Sequence, residues 1–445
     1  MPITELAILA FAVWVLAMVT RAKFPAVYWS LFGLPAALYR VCAAYRQTME
    51  ACELTVSPPW WKVFAKKAVG KETARPGIPR IRAIRPTTTG VRLRLRLPAG
   101  LAPEHVVNSA ERLRHAWAMH SAHVNEVKPG VVDLRMTGMD VLGSVRMPRR
   151  LVPGPLSAIV ALREDGQPFV RNYREVPHSL TMGASDSGKS MYQRCLIKSL
   201  ASLEAALVGI DCKRGVEQGP FAPRLSALAT NPDEAEGLLD ALVQEMEDRY
   251  DLLCLHQGIA PGTPLEDITS DIWGLPAKLR PIPIVVLVDE VAELFLIASK
   301  VDAPRRDRIV TQLLRLAQLS RAVGIYLEIA GQRFGTDLGK GATALRAQLT
   351  GRVVHRCNDK QTAEMGLGDI SDLAVPAATA IAPERRGTAI AGDTSGGWTR
   401  IRTPMTTLGE AAAECRKYAH LTPSIPVLEP FRPVAVEAPA PAPTS

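Results

Sequence analysis

None of the seven cysteines stands in a C-x-x-C pair. That argues against zinc ribbons and disulfide frameworks and fits a reducing compartment. Acids are missing where bases gather. Lys62, Lys66, Lys67, Lys71, Arg75, Arg80, Arg82 and Arg85 lie close together, with Glu72 the only acid among them. The opening Met1-Pro-Ile-Thr-Glu5 lacks the positive segment of a secretory leader. What is present is a chain of 445 residues with a formal charge of +9. That length suits two or three domains, and the charge makes an anionic partner plausible.

Two apolar runs open the chain. Leu6 to Val19 is uninterrupted, Phe24 to Tyr39 nearly so, and Arg21 and Lys23 separate them. Each is short against the ~20 residues of a spanning helix, but Trp14, Tyr28, Trp29 and Tyr39 suit an interfacial belt. Residues 1–45 are expected to form a membrane anchor of one or two helices; buried core helices or a cleaved leader are the alternatives. The bases after Arg40 place the rest of the chain at the cell membrane on its cytoplasmic side.

Residues 46–79 form a basic linker, open to solvent, anionic lipid or nucleic acid. Residues 80–150 predict a small α+β domain. Its strands are Ile81 to Ile84, Val91 to Leu97, His120 to Val127 and Val131 to Met136, with a helix from Pro103 to Met119. Arg92, Arg94 and Arg96 share one face of their strand, either as a DNA-facing stripe or as a solvated surface. A Pro-rich joint, Pro148 to Pro155, leads into residues 151–405. There, strands at 178–182, 205–211, 284–289 and 324–330 alternate with helices at 191–202, 233–255 and 307–322. This predicts an α/β fold with a mostly parallel sheet. Gln257 to Pro283 predicts a surface loop, and residues 406–445 a tail that ends in a disordered Pro/Ala-rich segment.

Met182-Gly-Ala-Ser-Asp-Ser-Gly-Lys-Ser190 carries the strongest signal: Gly183, Gly188, Lys189 and Ser190 fit G-x-x-x-x-G-K-[ST]. Glycines let the backbone N–H groups of Gly183, Ala184, Ser185, Asp186, Ser187, Gly188, Lys189, Ser190 and Met191 surround phosphates. Lys189 would reach the β- and γ-phosphates, and Ser190 would ligate Mg²⁺. Ile284 to Val288 is the aliphatic run of a buried parallel strand. It delivers Asp289 beside Mg²⁺ and Glu290 as a general base. Gln332, at the end of a later strand, suits a γ-phosphate sensor; Arg321, Arg333 and Arg352 are candidates for an arginine finger acting in trans.

These segments, with Asp211-Cys-Lys-Arg-Gly-Val-Glu217, Arg321-Ala-Val-Gly-Ile-Tyr326, Leu345 to Val354 and Arg386-Gly-Thr-Ala389, stand in the order typical of FtsK/SpoIIIE-type motors. The resemblance covers about residues 165–403. It implies a RecA-like ATPase using ATP and Mg²⁺, assembled as a homo-hexameric ring that pumps double-stranded DNA, often behind membrane helices and a small domain. Gly331 departs from the small hydroxyl residue usual before Gln-Arg, and Cys212 from a common proline. Only about forty residues follow the motor, too few for the winged-helix reader of chromosomal members. The chain is therefore most similar to the compact translocators of actinobacterial conjugative elements. A chromosome-segregation pump and a type VII-like secretion ATPase are the alternatives, the latter disfavoured by the single Walker set.

Overall fold

The computed structural model describes residues 5, 14–20, 24–59, 75–143, 145, 147, 154–257, 268–297, 300, 302–335, 338–393 and 396–433. The chain divides into two units. One comprises Met1–Ser144 with Glu164–Gly166; the other holds Val145–Arg163 and Gln167–Ser445.

In the first unit, turns at Pro25–Tyr28 and Trp29–Gly33 lead into α1 (Leu34–Ala51). Four antiparallel strands follow: β1 (Arg80–Pro86), β2 (Gly90–Arg96), β3 (Ser121–Lys128) and β4 (Val131–Thr137), in the order β1-β2-β4-β3. Period-two alternation puts Val91, Leu93, Leu95, Val132 and Leu134 on one buried face. Trp29, Ala37, Val41 and Met49 join that core. The spacing of 37, 41 and 49 is one face of a helix.

This corrects the reading of the second apolar run as a membrane helix, since its later part packs on the small sheet. No helix among the described residues is long and apolar enough to cross a membrane. Most of the first run, like the four lysines of the basic cluster and the last residues of the tail, lies outside the described residues. The expected Pro103 to Met119 helix is two helices, α2 (Pro103–Asn108) and α3 (Ala110–Ala116). The joint is Ser109, whose hydroxyl donates to the Cys52 carbonyl at 3.3 Å. A Ser that bonds elsewhere competes with helical continuation.

The second unit is built on ten strands in the order β6-β5-β14-β13-β12-β7-β11-β10-β8-β9. Its parallel part comprises β7 (Ser179–Met182), β8 (Ala206–Ile210), β9 (Leu225–Ala229), β10 (Ile284–Val288), β11 (Ile325–Gly331) and β12 (Gly351–His355). Beyond β12 the sheet turns antiparallel through β13 (Thr388–Gly392), β14 (Trp398–Arg402), β5 (Ser157–Arg163) and β6 (Pro168–Asn172). Helices α4 (Lys189–Leu200), α5 (Pro232–Gln257), α6 (Val291–Phe295) and α7 (Asp302–Leu319) connect the parallel strands.

Every residue of β7, β8, β10 and β11 is buried, which requires helices on both faces. Each fully buried Val or Leu contributes about 1.5–3 kcal/mol. The expected tail opens with α11, which follows α8 (Ala342–Gln348), α9 (Lys360–Leu367) and α10 (Ala374–Thr379) and spans Leu408–Lys417. A Thr407/Glu410 capping box starts α11, and Ala411, Ala412 and Cys415 are buried in the motor core.

Candidate nucleotide site

The C-terminal ends of β7 and β10 are adjacent to β11, and the predicted residues converge there. Between β7 and α4 the loop bends through Asp186 (φ 62°) and Gly188 (φ 108°). Gly188 has little alternative: a Cβ there would lie 2.4 Å from the Gly387 nitrogen. The Gly387 N–H donates to the Ser187 carbonyl at 3.0 Å, and the Ala184 N–H to the Arg356 carbonyl at 3.0 Å. The loop is thus tied to the turns before β13 and after β12. Arg386 forms an ion pair with Asp186.

Both lysines of the site engage carboxylates. Lys189 Nζ donates to Glu290 Oε2 at 2.7 Å, and Lys213 Nζ to Asp289 Oδ2 at 2.7 Å. Lys189, Asp289 and Glu290 are buried. Lys213 comes from the loop after β8, which folds around Asp211. That buried carboxylate accepts from the N–H groups of Lys213 (3.1 Å), Glu217 (2.9 Å) and Gln218 (3.0 Å). Burial opposes the charge on Lys213, but the hydrogen bond and charge of Asp289 outweigh it and raise its pKa. The Cys212 thiol is pushed up to about 12 by burial and by Asp211 and other nearby carboxylates, so it stays protonated. Ser190 and Asp289 border one small cavity with Gln193, Arg194 and Glu217.

Gln332 is exposed, and its N–H donates to Glu290 Oε1 at 3.2 Å. Gly331 explains itself here: a Cβ would meet Val291 at 3.1 Å and Glu290 Oε1 at 3.2 Å, so a larger residue would press on Glu290. Arg321 is not brought in. It is exposed and precedes β11, whose seven residues separate it from the loop end of the sheet by about 20 Å. Arg333 is exposed and pairs with Asp359 at 3.2 Å. Arg352 is corrected: 2% exposed, it donates to the Arg346 carbonyl at 2.9 Å and pairs with Asp369 at 3.7 Å, so it is engaged within its own chain.

The residues fit a magnesium nucleotide. The Ser190 hydroxyl and Asp289 carboxylate are the hard oxygen donors Mg²⁺ takes. Two ammonium groups already sit on the two acids, and the buried Ser187 hydroxyl has no hydrogen-bond partner in the phosphate loop. Sequence reasoning kept Lys213 only as a motif residue, and it missed Arg386 as a contact of the loop.

Residues 16–138 match the actinomycete conjugal transfer protein N-terminal domain, and residues 145–336 match the FtsK/SpoIIIE family. Transfer protein TraSA of Streptomyces ambofaciens is 52% identical over 400 residues, covering 90% of this chain and 96% of that protein. The chain belongs to the FtsK/SpoIIIE family. A Streptomyces azureus relative, called a sporulation regulatory protein, is 65% identical over 272 residues, 61% of this chain and 86% of that one. DNA translocase FtsK of Listeria monocytogenes is 35% identical over 205 residues, 44% of this chain and 26% of its own. The conjugation coupling protein TcpA of pCW3, in its monomer form with ATPγS, shares the fold. Its TM-score is 0.52 at 19% identity, covering 80% of this chain and 98% of that one.

Proposed function

We propose that this FtsK/SpoIIIE-family chain is an ATP-driven translocase of double-stranded DNA that serves conjugative transfer. The observation that carries the reading is the site at the end of the parallel sheet, where a phosphate loop faces Asp289-Glu290, in a chain 52% identical to a transfer protein across 96% of that protein. Lys189 leaves Glu290 for the phosphates when nucleotide enters. Ser190 and Asp289 would hold Mg²⁺, which when bound would neutralise developing charge on the phosphates. Glu290, released, accepts a proton from the attacking water. The Gln332 backbone N–H on its other oxygen fixes the orientation of that carboxylate.

Arg321 acts on a neighbour's nucleotide, a reading supported by its exposure and its distance from its own loop. A site completed in trans needs a second subunit, and the assembly we propose is a homo-hexameric ring. The apolar start of the chain tethers this ring to the membrane with the motor on the cytoplasmic side. Exposed Trp14, Leu16, Met18 and Val19 of the first apolar run support a nonaqueous neighbour for that segment.

The test is the ATPase rate of the purified full chain with and without linear duplex DNA. Duplex DNA is expected to raise the rate several-fold. An unchanged rate at low salt removes DNA as the substrate.

A further inference from the structure

The outer face of the small sheet has a charge pattern that the motor reading does not use. Its strands pair like charges directly: Arg80 opposes Arg96, Arg85 opposes Arg92, and Arg92 also opposes Arg135. Like charges directly opposite one another across a sheet destabilise it. In these cross-strand rows Asp133 is the sole carboxylate. It is already committed, accepting from Arg94 Nε at 2.8 Å and from Arg92 Nε at 2.8 Å.

Beyond that pair, a concavity of about 530 Å³ is bordered by Arg82, Arg94, Arg96 and Lys128. A bulge between Ile81 and Ala83 leaves Arg82 as the extra residue, between the Ile81–Leu95 and Ala83–Arg94 pairs. Arg82, Arg96 and Lys128 are exposed, and their side chains make no hydrogen bond or ion pair among the described residues. A second concavity, bordered by Arg46, Arg75 and Arg80, shares Arg82 and Arg96.

We infer that this face of the first unit is a second DNA site, distinct from the motor, which grips the phosphodiester backbone without reading sequence. A polyanion relieves the like-charge pairing that the strands impose. Arginine forks suit phosphate oxygens better than point charges do. Backbone-anchored cations on a sheet also hold fixed spacings, which a repeating phosphate chain can match. A lipid surface fits less well. Among the described residues the unit's other exposed large apolar side chains, from Trp14 to Tyr39, belong to its opening segment, and Val127 alone is beside the basic concavity. The inference rests on duplex DNA being the motor's substrate.

Binding of the nucleotide-free full chain to a 30-base-pair duplex is measured by fluorescence anisotropy from 50 to 200 mM KCl. Each phosphate contact contributes about 0.9 to the slope of log K against log salt. Arg82→Ala/Arg96→Ala/Lys128→Ala is expected to lower that slope by about 2–3. Arg82→Lys/Arg96→Lys/Lys128→Arg, which keeps the charges, is expected to retain it, and this excludes misfolding as the cause. An unchanged slope in the alanine variant overturns the site. So does an unchanged DNA slope with lost binding to phosphatidylserine/phosphatidylcholine vesicles, which would assign the cations to lipid phosphate. If DNA fails to stimulate the parent's ATPase, the substrate reading falls; if the parent is stimulated and the slope is unchanged, only the second site falls.

Discussion

Replacing Lys213 with alanine removes the cation that neutralises Asp289 in this structure. Asp289 is 3% exposed at its side chain and Lys213 45%, so the acid is buried while its partner is half in water. Breaking a fully buried ion pair costs about 3–5 kcal/mol, and an exposed pair contributes at most about 1 kcal/mol. A pair with one end in each environment is worth about 2 kcal/mol. For a domain of this size that corresponds to a drop in Tm of about 4–8 °C without nucleotide. Mg²⁺ competes with Lys213 for the same carboxylate. With saturating Mg·ATP the acid regains a cation, and the deficit is expected to shrink to about 2 °C or less. For the same reason the Mg²⁺ concentration needed for nucleotide binding should fall, by up to about 30-fold for 2 kcal/mol. Thermal melts with and without Mg·ATP, and Mg²⁺ titrations with a fluorescent ATP analogue, read both effects. A raised Mg²⁺ requirement would show that Lys213 supports bound nucleotide rather than standing in for its metal, and would refute the argument.

Gly188→Ala meets both a left-handed backbone and the Gly387 nitrogen. It is expected to cost about 1–3 kcal/mol of stability and to weaken ATP binding at least about tenfold; a variant with the parent's affinity contradicts the loop geometry. Two buried histidines make the motor acid-sensitive. Burial, then Arg171 and Arg321, lowers His178 to about 3; burial, outweighing a hydrogen bond to Thr388, lowers His355 to about 4, with Lys189 adding to the shift. Both folded values lie below the unfolded value near 6.5, so the unfolded chain binds the extra protons. Stability is complete above about pH 6.5 and falls by up to about 1.4 kcal/mol per pH unit for each histidine down to about pH 4. His178→Asn keeps an acceptor for the Leu327 N–H, which His178 Nδ1 now receives at 3.1 Å, and removes one titration. Urea midpoints between pH 7.5 and 5 should fall less steeply in this variant; the parent's slope would count against a neutral buried His178.

The motor was legible where a residue's environment is written locally. Ile284 to Val288 has to be aliphatic because both its faces are covered, and the phosphate loop has to be Gly-rich because its backbone passes Gly387. Relations across distant segments were not legible. Lys213 and Asp289 are 76 residues apart, and nothing in either segment names the other. β13 and β14 were missed as strands because a short Gly-rich hairpin has little periodicity to show. The second apolar run was read from its hydropathy and its aromatic residues, with a core helix as the alternative; Ala37 and, just beyond the run, Val41 share the helix face that packs in the core. The arginine stripe of β2 was seen, but its partial neutralisation by Asp133 depends on strand register, which sequence alternation does not supply.

The central claim is that this site moves duplex DNA with ATP. The direct measurement is displacement of a labelled third strand from a triplex at one end of a linear duplex. The full chain is expected to displace it only with Mg·ATP, and Glu290→Gln, which still binds nucleotide, is expected not to. Displacement without ATP, or none by an active ATPase bound to the duplex, would contradict the account.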